Sequence, residues 1–386
     1  MIESFDFLRK YEETAPPELD DETLFFDDVL SALKAAGPEG STVHTVGFDN
    51  TDFVLRAGYR VTDGDCDICI SRGGQREFFT ARNVSYRRLI ISPTHDYPAS
   101  ACSVFRSETK SFAELRACKK PFAVVFDKSA AHKNHASLFG EIMSLDLAAF
   151  DMEFGARMDG RRVGGEAAFQ IAALITELTA ALRRAEKDCD AQKELLVNAG
   201  RRAAELVAET PALLHASGAA QATEAYRMLC RAENRTIGMR GETEMLFGAY
   251  ITDFYIKSLV STASKIYFPP DNNRRIDSIT ANLGTDVRRA CVHIAPIYPP
   301  QRLRLCEYRV REFKHELTRA LTDISKRRTE AWQIFKRMYP DDGYCLKTLL
   351  DKTDVPLCIA LAPDVFKSNS LLSFLKQAGR LEKYVI

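Results

Sequence analysis

Residues 66–83 read CDICISRGGQREFFTARN, and residues 87–103 read RRLIISPTHDYPASACS. Cys66 to Ser71 is almost continuously apolar, as expected of a parallel strand buried on both faces. Gly73-Gly74 makes a turn, Gln75 to Val84 is compatible with a helix, and Leu89 to Pro93 is a second apolar run. Strand, glycine turn, helix and strand make a βαβ unit. A glycine pair in that place lets an anion approach backbone N–H groups at the start of the helix. Taken alone, Gly73-Gly74 is better read as a plain tight turn.

Outward from this unit, Thr42 to Gly47 and Ala123 to Phe126 read as further strands. Glu22 to Gly37 carries Leu24, Phe25, Val29, Leu30 and Leu33 at helical spacing and stops at a glycine, so one helix is expected there. From about Ser129 the pattern changes to long amphipathic segments: Gly164 to Lys187, Ala191 to Glu209, Gly218 to Glu233, Gly241 to Tyr267 and Arg302 to Met338. Pro269-Pro270 and Pro299-Pro300 interrupt them. The expected architecture is an α/β Rossmann-like domain over residues 1–135 and an all-α helical domain over 136–386, with a ligand cleft between them.

Composition excludes several classes. The chain has 386 residues, 46% hydrophobic and 27% charged, with 53 basic and 53 acidic residues balancing to zero. Without a positive excess, nucleic acid and anionic membranes are not expected as partners. The start, MIESFDFLRKYEE, lacks the basic and apolar regions of a secretory signal. No uncharged apolar stretch approaches the roughly 20 residues that span a bilayer. Ten cysteines at irregular spacing suit a reducing compartment, and a cytoplasmic location is the expectation. Cys66 and Cys69 form a CxxC, but within a strand and with no second pair, so core thiols are expected.

The βαβ segment resembles the "D-x-x-x-x-x-GGGS-x-x-D-x-x-K … PT-x-x-S" signature of the dehydroquinate synthase-like and iron-containing alcohol dehydrogenase superfamily, with sn-glycerol-1-phosphate dehydrogenase as the nearest branch. Asp67, Gly73, Gly74, Pro93, Thr94 and Ser103 fit the pattern, while Gln75, Arg76, Phe79 and Arg82 stand at the third glycine, the serine, the helix acid and the lysine. The resemblance implies NAD(P) held at Gly73, Gly74, Thr94 and Asp127. Arg76 and Arg82 could supply positive charge to a phosphate. Gln75 would crowd a diphosphate, so a small anionic ligand is the more robust expectation and no cofactor is certain.

Three further segments carry the resemblance. In FAVVFDKSAAHKNHASLFGEIMSLDLAAFDM (122–152), Asp127, Gly140 and Asp151 match the family, and Glu141 takes the place of its metal-binding aspartate. In HASGAAQATEAYRM (215–228), Ser217 and Gly218 match, Gln221 replaces a metal-binding histidine and Ala225 the second histidine. In MRGETEMLFGAY (239–250), Gly241, Glu242 and Gly248 match, and Arg240 replaces the last metal-binding histidine.

A catalytic zinc or iron needs about three N or O ligands at roughly 2.0–2.2 Å. Gln is a poor ligand, and the guanidinium of Arg stays protonated. The expectation is therefore loss of the metal, with Arg240 paired to Glu141. His215, just before the Ser217-Gly218 step, is a further candidate at the cleft, or else a capping-loop residue; His132 and His135, three apart and close to Glu141, are candidates for a replacement metal site, with a polar loop ahead of a helix as the favoured reading. Two functions of different class follow: a relative that is non-catalytic or repurposed for ligand binding, and an NAD(P)-dependent oxidoreductase acting on a small phosphorylated polyol. A homo-oligomer is left open.

Overall fold

The computed structural model describes residues 22–101, 104–108, 113–117, 120–127, 135–159, 165–210, 212–215, 218–232, 240–261 and 300–338. Its strands are β1 (Leu24–Phe26), β2 (Thr42–Val46), β3 (Arg60–Val61), β4 (Cys66–Gly73), β5 (Tyr86–Pro93), β6 (Val104–Glu108), β7 (Ala113–Ala117) and β8 (Ala123–Val125). Six of them form one sheet in the order β1-β8-β5-β4-β2-β3, with every pairing parallel. β6 and β7 form a separate antiparallel pair.

Parallel strands are covered on both faces, which is why β4 and β5 read as unbroken apolar runs. Ile68, Ile70 and Ile90 point to one face, where they meet Ala32, Leu33, Val43 and Val125. Cys69, Leu89 and Ile91 point to the other, against Phe78 and Ala81. Both thiols of the CxxC are core groups: Cys66 is 8% and Cys69 0% exposed. Burial pushes the Cys69 thiol up to about 12, so it stays protonated at neutral pH.

The expected single helix over Glu22 to Gly37 is instead a strand and a helix. Leu24–Phe26 pairs with Ala123–Val125 as β1. Asp28, in an extended conformation, then caps α1 (Val29–Ala36), its carboxylate accepting the Ser31 N–H at 2.8 Å. An aspartate between two apolar runs is a helix start, and the cap decides against the continuous periodicity.

The remaining helices of this half are α2 (Asp52–Arg56) and α3 (Gln75–Arg82). From His135 onward every described element is helical: α4 (His135–Asp159), α5 (Glu166–Arg184), α6 (Cys189–Glu209), α7 (Ala212–His215), α8 (Gly218–Ala232), α9 (Arg240–Ser261) and α10 (Pro300–Met338). α4 is the axis of this half. Each residue from His135 to Met152 is buried, and α5 to α10 all pack against it. A helix surrounded on all sides shows no amphipathic stripe.

Two features fix how α4 sits. A Cβ added at Gly140 would fall on the Gly241 carbonyl, and one at Gly241 would fall on the Ser137 carbonyl. α4 and α9 therefore cross with their backbones touching, which only glycine permits. At the other end, Asp151 accepts the Gly218 N–H at 2.7 Å and the Tyr255 hydroxyl at 2.9 Å, tying the start of α8 to α9. No described helix is long and apolar enough to cross a membrane.

Candidate functional site

The sheet and the helices meet beyond the carboxyl end of β5. There the chain makes a single 3-10 turn, Tyr97–Ala99, preceded by Asp96 in the left-handed region at φ 55°. Phe25, Phe126 and Tyr97 stack in a row behind the turn, with ring centroids 6.1 and 5.8 Å apart. Burial pushes the Tyr97 phenol above its ordinary value, and the nearby Glu141 charge adds to the effect.

Glu141 lies under this turn, on α4, and is 3% exposed. Its Oε1 accepts the Asp96 N–H at 3.1 Å and its Oε2 the Tyr97 N–H at 2.9 Å. The Ser137 hydroxyl donates to Oε1 at 3.1 Å. The carboxylate thus serves as the anion at the start of the Tyr97–Ala99 turn, where backbone N–H groups point outward. The Ser144 hydroxyl stands 2.8 Å from the Glu141 carbonyl and 3.0 Å from Glu244 Oε2.

The cavity bordered by Asp96, Pro98, Glu141, Ser144 and Glu244 has a volume of about 20 Å³. That is room for roughly one water, since a water needs about 10–15 Å³ of such volume. A carboxylate offers about four lone-pair positions, and three here receive N–H or O–H donors. Among the described residues no group of three or more His, Cys, Asp or Glu side chains is placed to hold a metal ion. The side chains of His215, Gln221 and Arg240 lie outside the described residues; their backbones fall in α7, α8 and at the start of α9.

The glycine turn is also filled from within. Gly73 ends β4 at φ +141°, and Gly74 is the cap of α3. The Gly74 N–H donates to Glu77 Oε2 at 3.0 Å, the back-bonding half of a capping box, so the chain supplies its own anion. A Cβ at Gly73 would meet that carboxylate at 2.6 Å, and one at Gly74 would fall on Nε2 of His95. The parallel pairing of β4 with β5 sets Gly73 beside Pro93, and the Thr94 N–H donates to the Gly73 carbonyl at 2.8 Å. His95 consequently lies over the turn, its Nδ1 3.0 Å from Thr94 Oγ1.

Of the residues expected to bind a nucleotide, the structure brings Gly73, Gly74 and Thr94 together. Arg76 is in the first turn of α3 and exposed. Arg82 is at the opposite end of α3, its Nη1 3.5 Å from the Phe78 carbonyl, a full two turns from Gly74. Asp127, just past β8, pairs with Arg72 at the end of β4, with Nη2 and Oδ2 3.8 Å apart. The Arg72 guanidinium also lies over the Phe48 ring, 5.6 Å from its centroid.

Sequence reasoning passed over His95 and Glu77. The signal for Glu77 was legible, since an acidic residue three positions after a cap makes a capping box. His95 needed the strand register.

No family model matches the chain, and no curated protein matches its sequence. Solved structures that match include alcohol and glycerol dehydrogenases and a maleylacetate reductase. One is an iron-containing alcohol dehydrogenase from Thermotoga maritima, with TM-score 0.45 and 10% identity, covering 79% of this chain and 99% of that one. A second is a halo-thermophilic archaeal alcohol dehydrogenase from a Red Sea brine pool, with TM-score 0.48 and 10% identity, covering 95% and 94%. A third, reported as a probable glycerol dehydrogenase from Sinorhizobium meliloti, has TM-score 0.44 and 13% identity over 80% and 98%. At such values the likeness is one of general chain course, and neither activity nor ligand carries over from it.

Proposed function

We propose that this chain is a non-catalytic relative of the dehydroquinate synthase-like and iron-containing alcohol dehydrogenase superfamily, in which the catalytic cleft has become internal structure. The observation that carries the reading is the bonding of Glu141. The side chain at the family's metal-binding position spends its lone pairs on Asp96 N–H, Tyr97 N–H and the Ser137 hydroxyl, beside a cavity of about 20 Å³. Small-molecule sites commonly need about 300–1,000 Å³. The cavity beside Glu141 is far below that range.

The turn at Gly73-Gly74 supports the same reading. The N–H that would face a phosphate is bonded to Glu77, and His95 covers the turn. The competing reading is an NAD(P)-dependent oxidoreductase acting on a small phosphorylated polyol, in which the division into an α/β domain (1–135) and a helical domain (136–386) would open at the cleft.

Metal analysis separates the two. The purified protein is equilibrated with zinc or iron(II), passed over a desalting column and assayed by elemental analysis. The non-catalytic reading expects no retained metal. One equivalent retained by the wild type and lost in Glu141→Gln would contradict it.

A further inference from the structure

Away from Glu141, helices α4, α9 and α10 enclose a pocket of about 370 Å³, lined among others by Met143, Met245, Tyr250, Thr252, Arg328 and Trp332. That volume falls within the usual range for a small-molecule site, and the lining is mostly apolar with two charged residues, the exposed Asp253 and the buried Arg328. Arg328 is 9% exposed, and Nη1 donates to Thr252 Oγ1 at 3.3 Å. Its Nε and Nη2 are buried with no hydrogen-bond partner among the described residues.

The nearby carboxylates are engaged elsewhere. Asp146 accepts both Nε and Nη2 of Arg327 at 2.8 Å. Asp151 takes the Gly218 N–H and the Tyr255 hydroxyl. Burial pushes Arg328 down to about 10, which still leaves it charged at neutral pH. A Cβ at Gly248 would overlap Nη2, so the glycine is what allows the guanidinium to lie against α9. Burying a guanidinium without a hydrogen-bonded counter-charge is costly, and the long bond to a neutral hydroxyl does little to offset that. A carboxylate would, because charge-assisted bonds strengthen where water is excluded.

We propose that this pocket binds an organic monocarboxylate with an apolar body, the carboxylate pairing with Arg328 and the body lying among Met143, Met245 and Trp332. The pocket is separate from the Glu141 site, so the proposal stands or falls independently of the metal and nucleotide tests.

Trp332 is the single tryptophan of the chain, so intrinsic fluorescence reports on the pocket directly. The full-length protein is titrated with 4-phenylbutyrate and octanoate and, separately, with their primary amides, and stoichiometry is checked by calorimetry. The expected result is saturable one-to-one binding of an acid, with its amide at least tenfold weaker. Arg328→Met is expected to bind acid and amide alike. Equal or tighter binding of the amides, no saturable binding of either acid up to millimolar concentration, or an unchanged acid affinity in Arg328→Met would each overturn the proposal. Should Arg328→Met fail to fold, the acid-against-amide comparison on the wild type decides alone.

Discussion

Glu141 on α4 holds the backbone N–H of Tyr97 at 2.9 Å, across a sequence separation of 44 residues. With the Asp96 N–H and the Ser137 hydroxyl, this bond fastens the end of β5 to the central helix of the second half. A carboxylate used as a latch behaves differently on substitution from one kept strained for metal binding. Removing a strained functional group is commonly neutral or stabilising. Removing the latch leaves two buried N–H groups without their acceptor. Glu141→Gln, whose amide keeps one oxygen as acceptor but turns an NH2 group toward the other backbone N–H, is expected to lower unfolding free energy by about 2 kcal/mol in urea titration. An unchanged or raised midpoint would mean that the latch is not what Glu141 provides.

The helix crossing beside that latch gives a second expectation. Gly140 and Gly241 meet backbone to backbone, and any Cβ there must push α4 and α9 apart. Gly140→Ala is expected to cost about 3 kcal/mol, at the upper end of overpacking effects. Alanine on a solvated helix surface would instead gain close to 1 kcal/mol over glycine. The sign of the change in urea midpoint therefore reads the crossing directly.

Much of this architecture is legible in the residues themselves. Cys66 to Ser71 and Leu89 to Pro93 read as strands because parallel sheets leave continuous apolar runs, and the segments expected over Gly164–Lys187, Ala191–Glu209, Gly218–Glu233 and Arg302–Met338 are helices within about three residues of those bounds, while the end of the segment expected over Gly241–Tyr267 lies outside the described residues. α4 was harder to delimit because its burial on all sides erases the helical stripe. β1 was hidden inside an apparent helix until the Asp28 cap was placed. Of the site, the bonding of Glu141 and of the Gly73-Gly74 turn was not legible in the sequence. That Glu141 faces Tyr97, and that His95 covers Gly74, depends on the register of β4 with β5 and on the left-handed Asp96, and neither leaves a mark in one sequence.

The contact between His95 and Gly74 can be tested by a double-mutant cycle. Gly74→Ala drives a methyl group into the imidazole and is expected to cost about 2 kcal/mol. In a His95→Ala background the methyl has room, and the same substitution is expected to cost less than half as much. Additive effects across the pair would mean that the ring does not lie over the turn.

Asp28 gives a pH-dependent expectation. Its bonds to the Ser31 hydroxyl and the Ser31 N–H hold its carboxyl below the ordinary range. A carboxylate depressed on folding stabilises the native state above the unfolded value, near 3.9, and loses that contribution as pH falls through the folded value. Asp28→Ala is therefore expected to cost about 1 kcal/mol at pH 7. The gap between wild type and variant should narrow below about pH 4. A gap that widened on acidification would contradict the assignment of Asp28 as the charged cap of α1.

The central claim is that the cleft at Glu141 and the turn at Gly73-Gly74 are filled by the chain's own groups. Calorimetric titration of the full-length protein with NAD+ and NADP+ tests it most directly. The account predicts no saturable heat for either nucleotide up to millimolar concentration. Micromolar one-to-one binding, weakened by a substitution at Gly74, would contradict it and return the chain to the dehydrogenases.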